Sequence, residues 1–151
     1  MKISQSGITM IKTFEGLAKL RNDGKIEAYK DPVGILTIGY GHTKYVHDGM
    51  VVTEHQANLF LEFDLRRFEQ GVNDLVHVEI TQNQFDSLVS FAFNVGISAL
   101  AMSTLLEKLN RKDYVGAAKE FIRWNKAGGS TLAGLTIRRI KESQNFKTGI
   151  S

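Results

Sequence analysis

The chain has 151 residues, 42% of them hydrophobic, with one proline, no cysteine and a formal net charge of +3. That length supports one adequate core or two compact lobes of one domain, not two independent domains, and the missing cysteines exclude a disulfide framework and cysteine-ligated metals. The basic balance, with a pI near 9.2, comes without a nucleic-acid motif or interleaved aromatics, and no stretch approaches the roughly 20 apolar residues of a membrane span.

The start, Met1-Lys-Ile-Ser-Gln-Ser-Gly7, holds no apolar export segment. A first helix is predicted over residues 6–15, because Ile8, Ile11 and Phe14 recur at helical spacing behind a capping Ser6 and ahead of Gly16. Residues 16–30 include Leu20-Arg-Asn-Asp-Gly-Lys25, an Asn-Asp-Gly turn that reads as a solvent loop. A small antiparallel sheet follows from 28 to about 52, with Thr37 opening a strand and His47-Asp-Gly-Met50 as a turn. Thr53 caps a long helix whose apolar positions are Leu59, Phe60, Phe63 and Phe68. Thr81 caps another with Phe85, Leu88, Val89, Ala92 and Phe93 on one face. Further helices are predicted over Ser98–Leu109 and Tyr114–Trp124; Gly128-Gly129 breaks the chain, and a last helix starts near Leu135.

The chemistry concentrates in Phe14-Glu15-Gly16 and Tyr29-Lys-Asp-Pro-Val-Gly-Ile-Leu-Thr-Ile-Gly-Tyr-Gly-His-Thr43. Cleaving a glycosidic bond needs one carboxylic acid to protonate the leaving oxygen and one carboxylate to handle water or the sugar cation. Glu15, at a helix C-terminus between Phe14 and Leu17, suits the proton donor, because the dipole's negative end and apolar neighbours disfavour a second negative charge. Asp31, in a Pro-Gly turn with backbone donors, suits the ionised partner, and the Thr37 hydroxyl suits a water. Asp23 and Glu27 are rival carboxylates. Lys119, Arg123, Lys126, Arg138, Arg139, Lys141 and Lys147 cluster late in the chain, where they form a solvated face or steer the protein toward an anionic envelope.

These motifs, with Ile80-Thr-Gln-Asn-Gln-Phe-Asp86, Ser90-Phe-Ala-Phe-Asn-Val-Gly96, Ser103-Thr-Leu-Leu106, Phe121-Ile-Arg-Trp-Asn-Lys-Ala-Gly-Gly129 and Gly134-Leu-Thr-Ile-Arg-Arg139, resemble the phage-type lysozymes, the endolysins of tailed phages. The resemblance covers nearly the whole chain. It implies an α+β, mainly α fold: one domain over 1–151, with a β-containing lobe at roughly 12–60, a helical lobe at 1–11 plus 61–151, and a long helix joining them around a cleft. It also implies a muramidase acting on peptidoglycan glycan strands, with Glu15 as acid, Asp31 as its partner and Thr37 beside the water.

Phe93, Asn94 and Ser103 match substrate-side positions, although Phe93 reads equally as a core aromatic. His42 would be a hairpin residue paired to a carboxylate, and Arg138 or Arg139 would orient Glu15 unless another acid takes it. No metal or other cofactor is expected, nor a nucleic-acid partner or stable membrane association. The family further implies a monomer that accumulates in the host cytoplasm and reaches the wall through a holin-made hole. The chain departs from the family in the longer spacing between Glu15 and Asp31, which enclose fifteen residues, Gly16 to Lys30. A lytic transglycosylase and a silent wall-binding module are the alternatives, and retaining or inverting stereochemistry is open.

Overall fold

The computed structural model describes residues 1–150. It divides into two compact units, Met1–Ile8 with Arg67–Ser151, and Thr9–Arg66. Helix α1 (Gln5–Glu15) and helix α2 (Glu54–Leu75) each run from one unit into the other. As expected, the fold is mainly helical with small antiparallel sheets.

In the smaller unit, α1 buries Ile11 completely and ends at Gly16, whose φ of 69° closes the last turn with its N–H on the Lys12 carbonyl at 2.9 Å. The cap at the other end of α1 is Ser4, not Ser6: Ser4 Oγ accepts the Gly7 N–H at 3.1 Å, because the helix begins at Gln5 and leaves Ser6 within its first turn.

The expected single sheet is instead two separate two-stranded antiparallel ladders. Strands β1 (Ile26–Glu27) and β4 (Val51–Val52) form one, β2 (Tyr29–Lys30) and β3 (Leu36–Thr37) the other. Thr37 therefore ends a strand, and the Ile38-Gly-Tyr-Gly-His42 run is a tight turn bridged from Ile38 to His42. Gly39 and Gly41, at φ 64° and 84°, take left-handed conformations that stop the ladder. The 16–30 segment is ordered, with Leu20 bridged to Ile26 and an Arg21–Lys25 backbone hydrogen bond of 2.7 Å closing the Asn-Asp-Gly turn.

Helix α2 opens with a capping box, Thr53 Oγ1 accepting the Gln56 N–H and Gln56 Oε1 accepting the Thr53 N–H. Its buried stripe is Ala57, Leu61, Leu65, Phe68 and Val72 at helical spacing, whereas Leu59 and Phe63, two of the apolar positions that signalled the helix, are each 49% exposed. A competing stripe of the right period wins because it carries more apolar positions along the full length of the helix.

The larger unit is built on α3 (Gln82–Val95) packed against α7 (Ala133–Lys147). Thr81 and Gln84 form the capping box of α3. Phe91 meets Phe121 and Trp124 edge-on at 5.4 and 5.5 Å, and Phe121 packs on Phe146. The predicted 98–109 helix is two, α4 (Ile97–Ala101) and α5 (Thr104–Asn110). Ser103 divides them by accepting the Leu106 N–H as an N-cap. The predicted 114–124 helix is α6 (Tyr114–Glu120), capped by Asp113, followed by a 3-10 turn (Phe121–Arg123). Gly128-Gly129, read as a break, forms the two-residue turn of a hairpin, β5 (Lys126–Ala127) with β6 (Ser130–Thr131). Both glycines have positive φ, the geometry that matches strand twist.

Candidate active site

In the smaller unit the β2–β3 ladder carries Thr37 and leads directly into Asp31. Tyr29 lies directly opposite Thr37, so their side chains share a face, and Asp31, two residues beyond Tyr29, falls on that face diagonal to Thr37. Asp31 is fixed by its own turn. Its Oδ1 accepts the Val33 and Ile35 N–H groups at 3.0 and 2.8 Å, while its N–H bonds the Ile35 carbonyl. Two backbone donors on one oxygen orient the group; Oδ2 has no hydrogen-bond partner among the described residues.

Thr37 is 4% exposed and donates its hydroxyl proton to the Ile35 carbonyl at 2.9 Å. What remains on Oγ1 is acceptor capacity, so a water at this hydroxyl gives a proton to it and keeps its own lone pairs for another atom.

Glu15 reaches the same neighbourhood from the end of α1. A methyl group added at Gly41 would lie 3.5 Å from Glu15 Oε1, so the glycine turn runs beside the carboxylate. Tyr29 feels both acids: its phenol is raised above the ordinary value, first by partial burial, then by the charges of Asp31 and of Glu15. Tyr29 and Gly41 were not singled out from the sequence. The two-residue spacing of Tyr29 and Asp31 on a strand was the available signal for the first.

The rival acids are otherwise engaged. Asp23 pairs with Arg21 at 2.9 Å and Glu27 approaches the same guanidinium at 3.4 Å, within the 16–30 segment. His42 is buried with Nδ1 2.8 Å from Asp64 Oδ2 and its ring stacked on Phe60 at 4.3 Å.

The remaining predicted residues belong to the larger unit. Phe93 is half-buried with its ring edge-on to Phe68 at 5.2 Å. Ser103 is buried and both donates, to the Leu100 carbonyl at 2.7 Å, and accepts, from the Leu106 N–H. Asn94 is exposed, and its Oδ1 accepts from Arg139 Nη2 at 2.7 Å. Because arginine can only donate, the amide's NH2 end is the one left to face outward.

Arg138 and Arg139 flank Glu142, an acid the sequence reading did not name. Arg138 Nε lies 3.2 Å from Glu142 Oε2, which also accepts from Ser90 Oγ at 2.6 Å. Arg139 Nε approaches Oε1 at 2.9 Å as an ion contact not aligned for a hydrogen bond. Burial raises the Glu142 carboxyl above its ordinary value, against the lowering effect of both arginines, and the same burial brings the Arg139 guanidinium down to about 10. Among the described residues no group of three or more His, Asp or Glu side chains is arranged to hold a metal ion.

The sequence profile of the phage lysozyme family matches residues 12–142, a span holding the whole acid–hydroxyl group. The chain belongs to the phage lysozyme family. Over 154 aligned residues it is 47% identical to an endolysin of Bacillus phage B103, covering all of this chain but 56% of that protein, so the chain spans little more than half the length of this relative. Among solved structures, the muramidase domain of SpmX from Asticaccaulis excentricus superposes with a TM-score of 0.86 at 41% identity, covering 96% of this chain and 97% of that one. A mutant of P22 lysozyme gives the same TM-score at 40% identity, covering 97% and 98%. Phage lysozymes thus share the arrangement of helices and short ladders described above.

Proposed function

We propose that this chain is a muramidase that hydrolyses the β-1,4 bond between N-acetylmuramic acid and N-acetylglucosamine in bacterial peptidoglycan, and so serves as an endolysin. The observation that carries the reading is the convergence of Glu15, Asp31 and Thr37 around Tyr29 and Gly41 within a phage lysozyme sequence. Glu15 is the general acid that protonates the leaving oxygen. Asp31, held in place by two backbone donors, stabilises positive charge on the sugar or takes the proton of water. Thr37 accepts a hydrogen bond from that water, because its own proton is committed to Ile35, leaving a water lone pair directed at the anomeric carbon.

Asp31 is favoured over Asp23 and Glu27 because Arg21 occupies both of the latter. On the substrate side, Asn94 presents its NH2 to an acceptor such as an acetamido oxygen, supported by the Arg139 contact.

No helix among the described residues is long and apolar enough to cross a membrane. We read the protein as a monomer that accumulates in the host cytoplasm and meets the wall after a holin opens the membrane, the route that likeness to endolysins suggests.

Mass spectrometry of fragments released from purified peptidoglycan tests the reaction. Reducing muramic acid ends, absent with Glu15→Gln, support hydrolysis. Anhydro-muramic ends overturn it in favour of a transglycosylase, and absence of fragments leaves a binding module.

A further inference from the structure

We infer that the smaller unit carries an accessory peptidoglycan-binding surface outside the Glu15, Asp31 and Thr37 group, formed by Tyr45, Lys44, Phe63 and Arg66. The inference rests on the muramidase reading above for the identity of the polymer. Its structural basis is separate.

Tyr45 lies in a turn closed by the Val46 N–H on the Thr43 carbonyl, at the third position, with φ of 61°. Glycine or asparagine is the ordinary occupant of that slot, since a side chain strains the left-handed backbone. Folding does not explain the tyrosine, because it is 88% exposed and buries almost nothing. Strain retained at an exposed aromatic points to a use for its ring.

The surroundings give that use a chemistry. Lys44 Nζ sits 5.4 Å from the Tyr45 ring centre and 5.7 Å from that of Phe63, and Arg66 lies 5.8 Å from Phe63 on its other contact. The turn after His42 and the exposed face of α2 thereby form one patch, extended along the helix by Leu59, one turn before Phe63. Neither Lys44 nor Arg66 has a carboxylate within ion-pair distance among the described residues.

Exposed rings beside uncompensated cations fit a polymer offering flat sugar faces and free carboxylates at short intervals, as glycan strands with acidic stem peptides do. Two cations fall short of the clusters of four to eight that hold proteins on anionic lipid.

The test measures retention on insoluble peptidoglycan, stripped of secondary polymers by acid, in a Glu15→Gln background that prevents digestion. Tyr45→Gly is expected to leave the melting temperature unchanged or raise it, while weakening retention about fivefold, the order of losing one exposed side-chain contact. Tyr45→Phe should restore retention. Lys44→Gln with Arg66→Gln should flatten its salt dependence.

Equal retention by Tyr45→Gly and its parent overturns the inference, as does capture of the protein by phosphatidylcholine–phosphatidylglycerol vesicles without retention on peptidoglycan. In the active background, Tyr45→Gly should cut short soluble oligosaccharides at the native rate. Failure of the unsubstituted protein to release any fragment sinks the muramidase reading while leaving the retention result to stand by itself.

Discussion

The larger unit buries acids against serines, arginines and backbone in its core, whereas the smaller one carries its candidate acids nearer the surface on minimal strands. In the larger unit Asp86 is 1% exposed and accepts from the Ser4 N–H and hydroxyl and from Gln82, and Glu142, with no exposure, lies between two arginines and Ser90. In the smaller unit Glu15 is exposed, Asp31 half-exposed, and the ladders that carry Asp31 and Thr37 have two residues per strand. Buried ionic groups must be fully partnered, because each loses its hydration; a reacting carboxylate needs an open side for substrate. The division teaches that rigidity and chemistry are held by different parts of this chain.

Glu15→Gln gives the largest expected effect on the chemical side of that comparison. Loss of a general acid should cost at least about 100-fold in fragment release, with a melting curve that superposes on the parent's. A collapse in melting temperature instead would place Glu15 among the structural charges. Glu142→Ala is the counterpart in the larger unit. Removing the acid leaves two buried guanidinium groups, so denaturant titration should show a loss of about 3–5 kcal/mol. A change under 1 kcal/mol, on the scale of an exposed pair, would mean the triad is dispensable.

Asp31→Asn keeps a carbonyl oxygen for Val33 and Ile35, so the turn should persist while turnover falls about 100-fold; Asp23→Asn should stay within about twofold of the parent in the same assay. Reversal of that order would move the second carboxylate onto the 16–30 segment. The smallest effect concerns Tyr29. Its folded value is raised, so its contribution to stability is complete below the unfolded value of about 10 and lost as pH rises through the folded one. Tyr29→Phe should therefore flatten the alkaline limb of a stability–pH curve without moving its acid limb.

How much was legible depends on the range of the interaction responsible. Thr53, Thr81 and Gly16 could be read as helix ends because capping bonds reach only three or four residues. Ser103 carried the same chemistry, yet the apolar spacing around it hid the break between α4 and α5. The apolar positions of α2 signalled a helix, but only packing decided that Phe68 is buried while Phe63 stays exposed. Gly128-Gly129 is a local signal that fits both a break and a hairpin.

The phage lysozyme family was readable from residue types in order, because its motifs are contiguous or nearly so, and the same motifs singled out Glu15, Asp31 and Thr37 as candidates. The tertiary structure decided what lies beside them: Tyr29 opposite Thr37, Gly41 against Glu15, Arg21 taking Asp23 and Glu27, Glu142 between Arg138 and Arg139. Such pairings are set by how distant segments meet and by which charges burial forces together, and neither is a property of local sequence.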